Sequence, residues 1–269
     1  MQTITKIEVQ KKNKERYSIY LNEQYAFGVQ EATLIKFALF KGSQLSPEQI
    51  KEIEHEDYLQ RAYSLSLKYL THQMRTEKEV RQKLLKNEIS PAAIEATIQR
   101  LKEQKYIDDQ FYADSFTRTS ANLSRKGPKL VERELKNKGV LQPEIQQALE
   151  EYSPEEQVEN GREIAQKYLN RLSNVSPREA KQKVIQFLMQ KGYTKEIYEQ
   201  IIPQLSFKRQ EEMELDILAK HAEKMFATYS RKTTGKQLIQ KVKSALYRKG
   251  FVQEDIDAYM RQKEMELEE

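Results

Sequence analysis

The sequence contains no cysteine and no tryptophan, and in 269 residues only eight glycines, seven prolines and three histidines. Without cysteine there are no disulfides, thiolate metal sites or cysteine nucleophiles. His55, His72 and His221 lie far apart and share no metal-ligand spacing, so each reads as a surface or half-buried residue. No stretch approaches about 18 consecutive apolar residues, and the opening MQTITKIEVQKKN lacks the apolar run of a signal peptide. A cytoplasmic protein with no membrane contact is expected. Also missing are a nucleophile elbow, a dinucleotide fingerprint and a catalytic carboxylate pair. Thr234-Gly235-Lys236 has the tail of a phosphate-binding loop, but the upstream glycine is absent and Gln237 stands where Ser or Thr would hold magnesium. Asp108-Asp109 at a helix start reads as a cap and dipole partner. No catalytic residue, cofactor or metal is expected, and the chain is not read as an enzyme.

What the sequence has in excess is charge. Lys and Arg number 46 against 41 Asp and Glu, giving +5 net, and charged residues make up 32 % of the chain while hydrophobic ones make up 38 %. Such a chain has much surface for its volume, which argues against one thick core and for an array of small units. One apolar pattern recurs four times. It runs Val80, Leu84, Ile89, Ile94, Ile98, then Val131, Leu135, Val140, Ile145, Leu149, then Val184, Leu188, Tyr193, Tyr198, Ile202, then Val242, Leu246, Phe251, Ile256, Met260. The steps are 4, 5, 5 and 4 in each copy. A step of 4 keeps two side chains on one helix face, and the two 5-steps flank a turn. Gly139, Gly192 and Gly250, each after a Lys, suit the left-handed position that ends a helix, with the Lys at the negative end of its dipole. The first copy has Asn87-Glu88 there instead, followed by the helix start Ser90-Pro91.

A third helix precedes each pair, marked by Ala62, Ala113, Ala165 and Ala222, with Leu65, Phe116, Tyr168 and Met225 three residues on. The body is therefore tandem three-helix repeats, expected to stack into an elongated, curved all-α array. Residues 1–57 differ. Ile4, Ile7, Val9, then Tyr17, Ile19, Leu21, then Tyr25, Phe27, Val29 alternate with period 2 around turns at Lys11–Glu15 and Asn22–Glu23. This predicts a small antiparallel β-meander, a helix at about Glu31–Phe40 and another opening at Ser46-Pro47. The expected units are a head (1–57) and repeats at 58–107, 108–152, 153–205 and 206–269.

The basic excess falls on the second helix of each repeat: +3 over 75–86, +4 over 125–138, +3 over 178–191 and +7 over 231–249, leaving −12 for the rest. Stacked in register, these would form a positive stripe attractive to phosphates or acidic protein. The plainer alternative is solvated faces balanced by neighbouring acidic helices. Tyr106, Phe111, Tyr112 and Phe116 have a spacing that favours core and inter-repeat packing over base stacking.

These residues carry a family likeness. Arg75-Thr76-Glu77-Lys78-Glu79-Val80 followed by Lys83-Leu84 resembles the first-repeat signature of the RecX family of recombination regulators. Leu101 through Asp109 resembles its repeat junction, with Lys105 where the family often has Gly. Arg125-Lys126-Gly127-Pro128 and Glu134 through Val140 resemble its second-repeat signature. The long form, with a β-rich head and an extra C-terminal repeat, is similar to that of Gram-positive bacteria. The resemblance implies a regulator of RecA in homologous recombination and DNA repair. Such a regulator binds the groove of the RecA filament on single-stranded DNA and restrains its ATPase and strand exchange.

On that reading the partners are the RecA filament and the single-stranded DNA within it, with weak direct DNA binding as an accompaniment. Arg75, Lys78, Arg81, Arg125, Lys126, Lys129 and Arg133 are the expected contact residues, while Gly127-Pro128 sets a helix start. Charge reversal at Arg75, Lys126 and Lys129 is expected to weaken inhibition without loss of helicity. A monomer is expected, since no apolar heptad seam stands out. Two other readings remain: a direct DNA-binding helical-repeat protein acting without RecA, and a protein scaffold whose charge serves solubility.

Overall fold

The structure, a computed structural model, describes residues 1–11, 13–208 and 213–268, with side chains through 264. Lys12 of the expected first turn, and Arg209–Glu212 and the acidic end of the expected fourth repeat, lie outside the described residues or side chains. The chain forms two compact units: Met1–Ala113 with Lys136–Glu144, and Asp114–Leu135 with Ile145–Glu269.

In the first unit, β1 (Gln2–Gln10), β2 (Asn13–Leu21) and β3 (Gln24–Gln30) form the meander, and β4 (Gln44–Leu45) joins its β1 edge, giving the order β3-β2-β1-β4. All pairings are antiparallel, with Ile7 opposite Ile19 and Ile19 opposite Phe27. The alternation buries Ile4, Ile19, Leu21, Phe27 and Val29 together on one face, closed by Leu39, Leu45 and Ile53. Helix α1 spans only Glu31–Lys36. It stops short of Phe40 because Ala38 turns left-handed (φ 47°) and drops Leu39 into this core.

Helix α2 (Pro47–Leu70) opens with a capping box between Ser46 and Gln49 and runs unbroken through positions 57 and 58. Its Asp57 takes the guanidinium of Arg16 at 3.0 Å, the backbone N–H of Gln30 at 2.5 Å and the hydroxyl of Thr33 at 3.1 Å, which satisfies a buried carboxylate. Further along, Ala62 and Tyr63 enter a second core. That core holds Val80 and Leu84 of α3 (Glu77–Leu85), Ile89 of the turn that follows, Ile94, Ile98 and Leu101 of α4 (Pro91–Glu103), and Ile107.

Helices α5 (Asp109–Ser124), α6 (Pro128–Lys138) and α7 (Gln142–Glu150) each begin in one unit and end in the other, with Ala113, Val131, Leu135, Ile145 and Ala148 all fully buried. In the second unit, α8 (Pro154–Leu169), α9 (Pro177–Gln190) and α10 (Lys195–Ile201), with a 3-10 turn at Ile202–Gln204, enclose one core. Helices α11 (Glu214–Tyr229), α12 (Gly235–Arg248) and α13 (Gln253–Glu268) enclose another. Among the described residues there are thirteen α-helices, and the four expected sets of three are present.

The buried positions match the recurring pattern with two shifts. In the third set Ile197 and Ile201 are buried and Tyr198 is half-buried, because α10 starts directly after Tyr193-Thr194. In the second set Ala148, rather than Leu149, is fully buried. Two aromatics also depart from expectation. Tyr112 is buried, but Tyr106 and Phe111 are more than half exposed and belong to no core.

Candidate interface along the second helices

The second helices start with caps at Thr76, Gly127, Ser176 and Thr234. Helices α9 and α12, at 14 residues each, carry one more N-terminal turn than α3 and α6. Their caps therefore lie eight residues before Val184 and Val242, whereas Thr76 and Gly127 lie four before Val80 and Val131. Counted from the cap, Lys78, Lys129, Arg178 and Lys236 occupy one position, two residues in.

The caps do more than end their own helices. Thr76 Oγ1 accepts from the Glu79 N–H and donates to the carbonyl oxygen of Lys138 at 2.7 Å, while Lys78 Nζ donates to that of Asn137 at 3.0 Å. Lys138 answers with its amine on Glu79 at 2.7 Å, a hydrogen bond that raises its pKa. Ser176 repeats the arrangement, accepting from Glu179 N–H and donating to the Lys249 carbonyl at 2.8 Å. At Gly127 the backbone substitutes for the hydroxyl: its N–H donates to the Lys191 carbonyl at 2.8 Å, and that of Lys129 to the Gly192 carbonyl at 3.1 Å. In each joint the positive end of one second helix meets the orphan carbonyls at the negative end of the next. Gly139, Gly192 and Gly250 have φ of 89–90°, and a Cβ on them would collide with Lys78, Leu130 and Arg178 respectively. The Lys-Gly pair is thus the seat of a joint as well as a helix stop.

Most expected contact residues are engaged inside the protein. Arg75 lies over the Tyr69 ring at 4.3 Å with its charge 3.8 Å from Glu79. Arg81 is held by Glu95 at 2.5 and 2.9 Å and by Glu77 at 2.6 Å; these carboxylates raise its pKa. Arg125, itself left-handed at φ 49°, pairs with Glu163 at 3.0 Å and accepts the Tyr193 hydroxyl on its carbonyl at 3.0 Å. Lys126 pairs with Glu134 at 2.6 Å and lies 5.7 Å from the Phe116 ring. Lys78 is exposed but spends its amine on α6. Of the seven, only Lys129 and Arg133 are exposed and form neither an ion pair nor a side-chain hydrogen bond among the described residues. Charge reversal at Arg75 or Lys126 would therefore unsettle the fold as well as any surface.

Asp108 caps α5 by accepting from Phe111 N–H at 2.9 Å, and Asp109 accepts from Glu77 N–H at 2.9 Å, capping α3 instead of its own helix. Burial, reinforced by the charges of Glu77 and Glu144, pushes the Asp109 carboxyl above its ordinary range against the opposing Glu77 N–H and Lys102. No group of three or more His, Asp or Glu side chains placed to hold a metal occurs among the described residues, and no helix there is long and apolar enough to cross a membrane.

Residues 2–46 match the pattern described as the regulatory protein RecX N-terminal domain, 62–101 the first RecX three-helix domain and 108–149 the second. The third such domain matches twice, over 155–202 and 211–260. The regulatory protein RecX of Halalkalibacterium halodurans is 41 % identical over 264 residues, covering 97 % of this chain and 99 % of that one. That of Leuconostoc mesenteroides is 38 % identical over the full length of both. The chain belongs to the RecX family. Crystal structures agree with the family fold. One of regulatory protein RecX, 40 % identical, superposes with a TM-score of 0.65 over 75 % of this chain and 98 % of that one. RecX from Lactobacillus salivarius, 37 % identical, gives 0.54 over 56 % and 97 %. The double match of the third domain fits the shared 14-residue length of α9 and α12. These relatives are named as regulatory proteins.

Proposed function

We propose that this protein is a non-catalytic, cytoplasmic regulator of RecA that binds the groove of the RecA filament on single-stranded DNA and mainly restrains its ATPase, strand exchange and stability. The observation that carries the reading is membership of a family of regulatory proteins over the whole chain. The positive excess confined to second helices supports it, because a filament groove offers phosphates and acidic protein surface. In this reading a head at 1–57 and units at 58–107, 108–152, 153–205 and 206–269 act as a monomer. Lys129 and Arg133 supply contact charge, with Lys78 beside them in role. Arg75, Arg81, Arg125 and Lys126 hold the helices that present it.

Co-sedimentation with RecA filaments tests the assignment. The pair Lys129→Glu, Arg133→Glu should weaken binding at unchanged helicity, and more so at low salt. Wild-type binding by that pair would remove these two residues from the interface.

A further inference from the structure

We propose that the fourth three-helix unit binds single-stranded nucleic acid directly, in a phosphate-tracking groove between α11 and α12. For the filament reading this would assign the fourth unit to DNA rather than to RecA, and on that point it rests on that reading. Binding to the strand itself requires no RecA.

The first observation is the groove. A cavity of about 740 Å³ opens beside α12, lined among others by Lys232, Lys241, Arg248, Thr233, Ser244 and Gln240. Every polar side chain lining it among the described residues is a cation, a hydroxyl or an amide, and none is a carboxylate. The cavity of about 510 Å³ at the first joint is different, since Glu77, Asp109 and Glu144 stand among its basic residues.

The second observation is where charge is left uncompensated. Arg81, Arg125, Lys126 and Lys138 each have a carboxylate partner in the earlier units. Over 231–249, with seven basic residues and no acidic one, only Lys243 has such a partner among the described residues, Asp257 at 2.9 Å. Lys241 meets only the Thr233 hydroxyl at 2.8 Å, and Lys232 and Arg248 have no ion pair among the described residues. Like charges held this way repel one another in the free protein, and a polyanion that enters relieves the repulsion.

The third observation favours an unpaired strand. Tyr229, half-buried against the core of this unit, lines the groove, and Tyr247, 54 % exposed, borders a smaller cavity that shares Gln240, Ser244 and Arg248 and also includes Lys243 and Asp257. Aromatic faces beside a cationic track accept splayed bases, which a duplex keeps stacked and an acidic peptide does not have. Hydroxyl and amide donors between the cations suit phosphate oxygens.

Fluorescence anisotropy of a fluorescein-labelled oligothymidylate with the full chain, at two salt concentrations and without RecA, tests this. The triple variant Lys232→Gln, Lys241→Gln, Arg248→Gln should bind at least about tenfold more weakly and lose about 2 from the slope of log affinity against log salt, given about 0.7 per phosphate contact on a single strand. Ser244→Asp, a single exposed change, should weaken binding in the same direction, and Lys41→Gln, Lys51→Gln, at exposed positions of the first unit, should retain most of it. Circular dichroism establishes that each variant is folded.

Failure of the wild type to bind at low salt, or wild-type affinity in both the triple variant and Ser244→Asp, would overturn the proposal. So would equal affinity for a duplex of the same length, or equally effective competition by polyglutamate. RecA ATPase measured with the same variants keeps the two readings apart. A triple variant that loses oligonucleotide binding but still suppresses ATPase would uphold the groove and leave the filament reading intact without it.

Discussion

Thr76 and Lys138, 62 residues apart, are joined by a 2.7 Å hydrogen bond from the threonine hydroxyl to the lysine carbonyl, and both Thr76 and its counterpart Ser176 are fully buried. The hydroxyl serves as acceptor for its own helix and donor to the next. Thr76→Ala should therefore cost about 2–3 kcal/mol, combining a lost N-cap with a carbonyl left without a partner. Thr76→Ser, which keeps the oxygen, should recover most of that. Urea denaturation followed by circular dichroism reads both, and an alanine variant as stable as the serine one would show that the joint contributes nothing.

The glycines of the joints should be far less replaceable than their equivalents elsewhere. Gly139→Ala and Gly250→Ala force a Cβ into Lys78 or Arg178 at a backbone angle that side chains avoid, and each should cost about 2–4 kcal/mol. The first repeat has Glu88 at the equivalent turn, left-handed at φ 59° and exposed. Glu88→Gly should be neutral or stabilising by up to about 1 kcal/mol, as should Lys105→Gly at φ 58°. Thermal melts of these four variants separate the two classes, and equal losses in all four would contradict the distinction.

Acid titration should pick out Asp109. Its carboxyl is raised above 3.8, so between that value and its folded pKa the folded state holds a proton that the unfolded chain has released. Its contribution to stability is accordingly greatest at low pH and falls as pH rises through that window. Asp109→Asn keeps an oxygen for the Glu77 N–H and removes the titration. Its stability relative to wild type should be more favourable at pH 7 than at pH 4. Carbon-detected NMR of the Asp109 carboxyl gives the midpoint directly, and a value below 3.8 would reverse the sign.

Much of this architecture was legible in residue spacing. Val80, Leu84, Val131, Leu135, Val184, Leu188, Val242 and Leu246 recur at one step and are all fully buried, because two residues four apart on a short helix have a single core to face. In the first helices Leu65, Tyr168 and Met225 pack half-buried against their cores, while next to Leu65 and Phe116 the buried positions are Ser66 and Thr117, whose polarity hides close packing. Ser66 satisfies its hydroxyl on the Ala62 carbonyl at 2.9 Å.

The interface was the least legible part. Counting charge by segment finds the basic helices but not their partners, and Glu77, Glu95, Glu134 and Glu163 reach Arg81, Lys126 and Arg125 across 4 to 38 positions. The joints do have a sequence signal, a Thr, Gly or Ser cap followed two residues later by Lys or Arg. It stands at two different distances from the repeated Val, since α9 and α12 carry the additional turn.

The most direct test of the account is ATP hydrolysis by the cognate RecA on single-stranded DNA, titrated with this protein at two salt concentrations. The account predicts suppression at amounts well below RecA, since one molecule bound along the groove would bear on several protomers, and weaker suppression at the higher salt. No change in hydrolysis at any ratio, with the protein folded and RecA active, would contradict it.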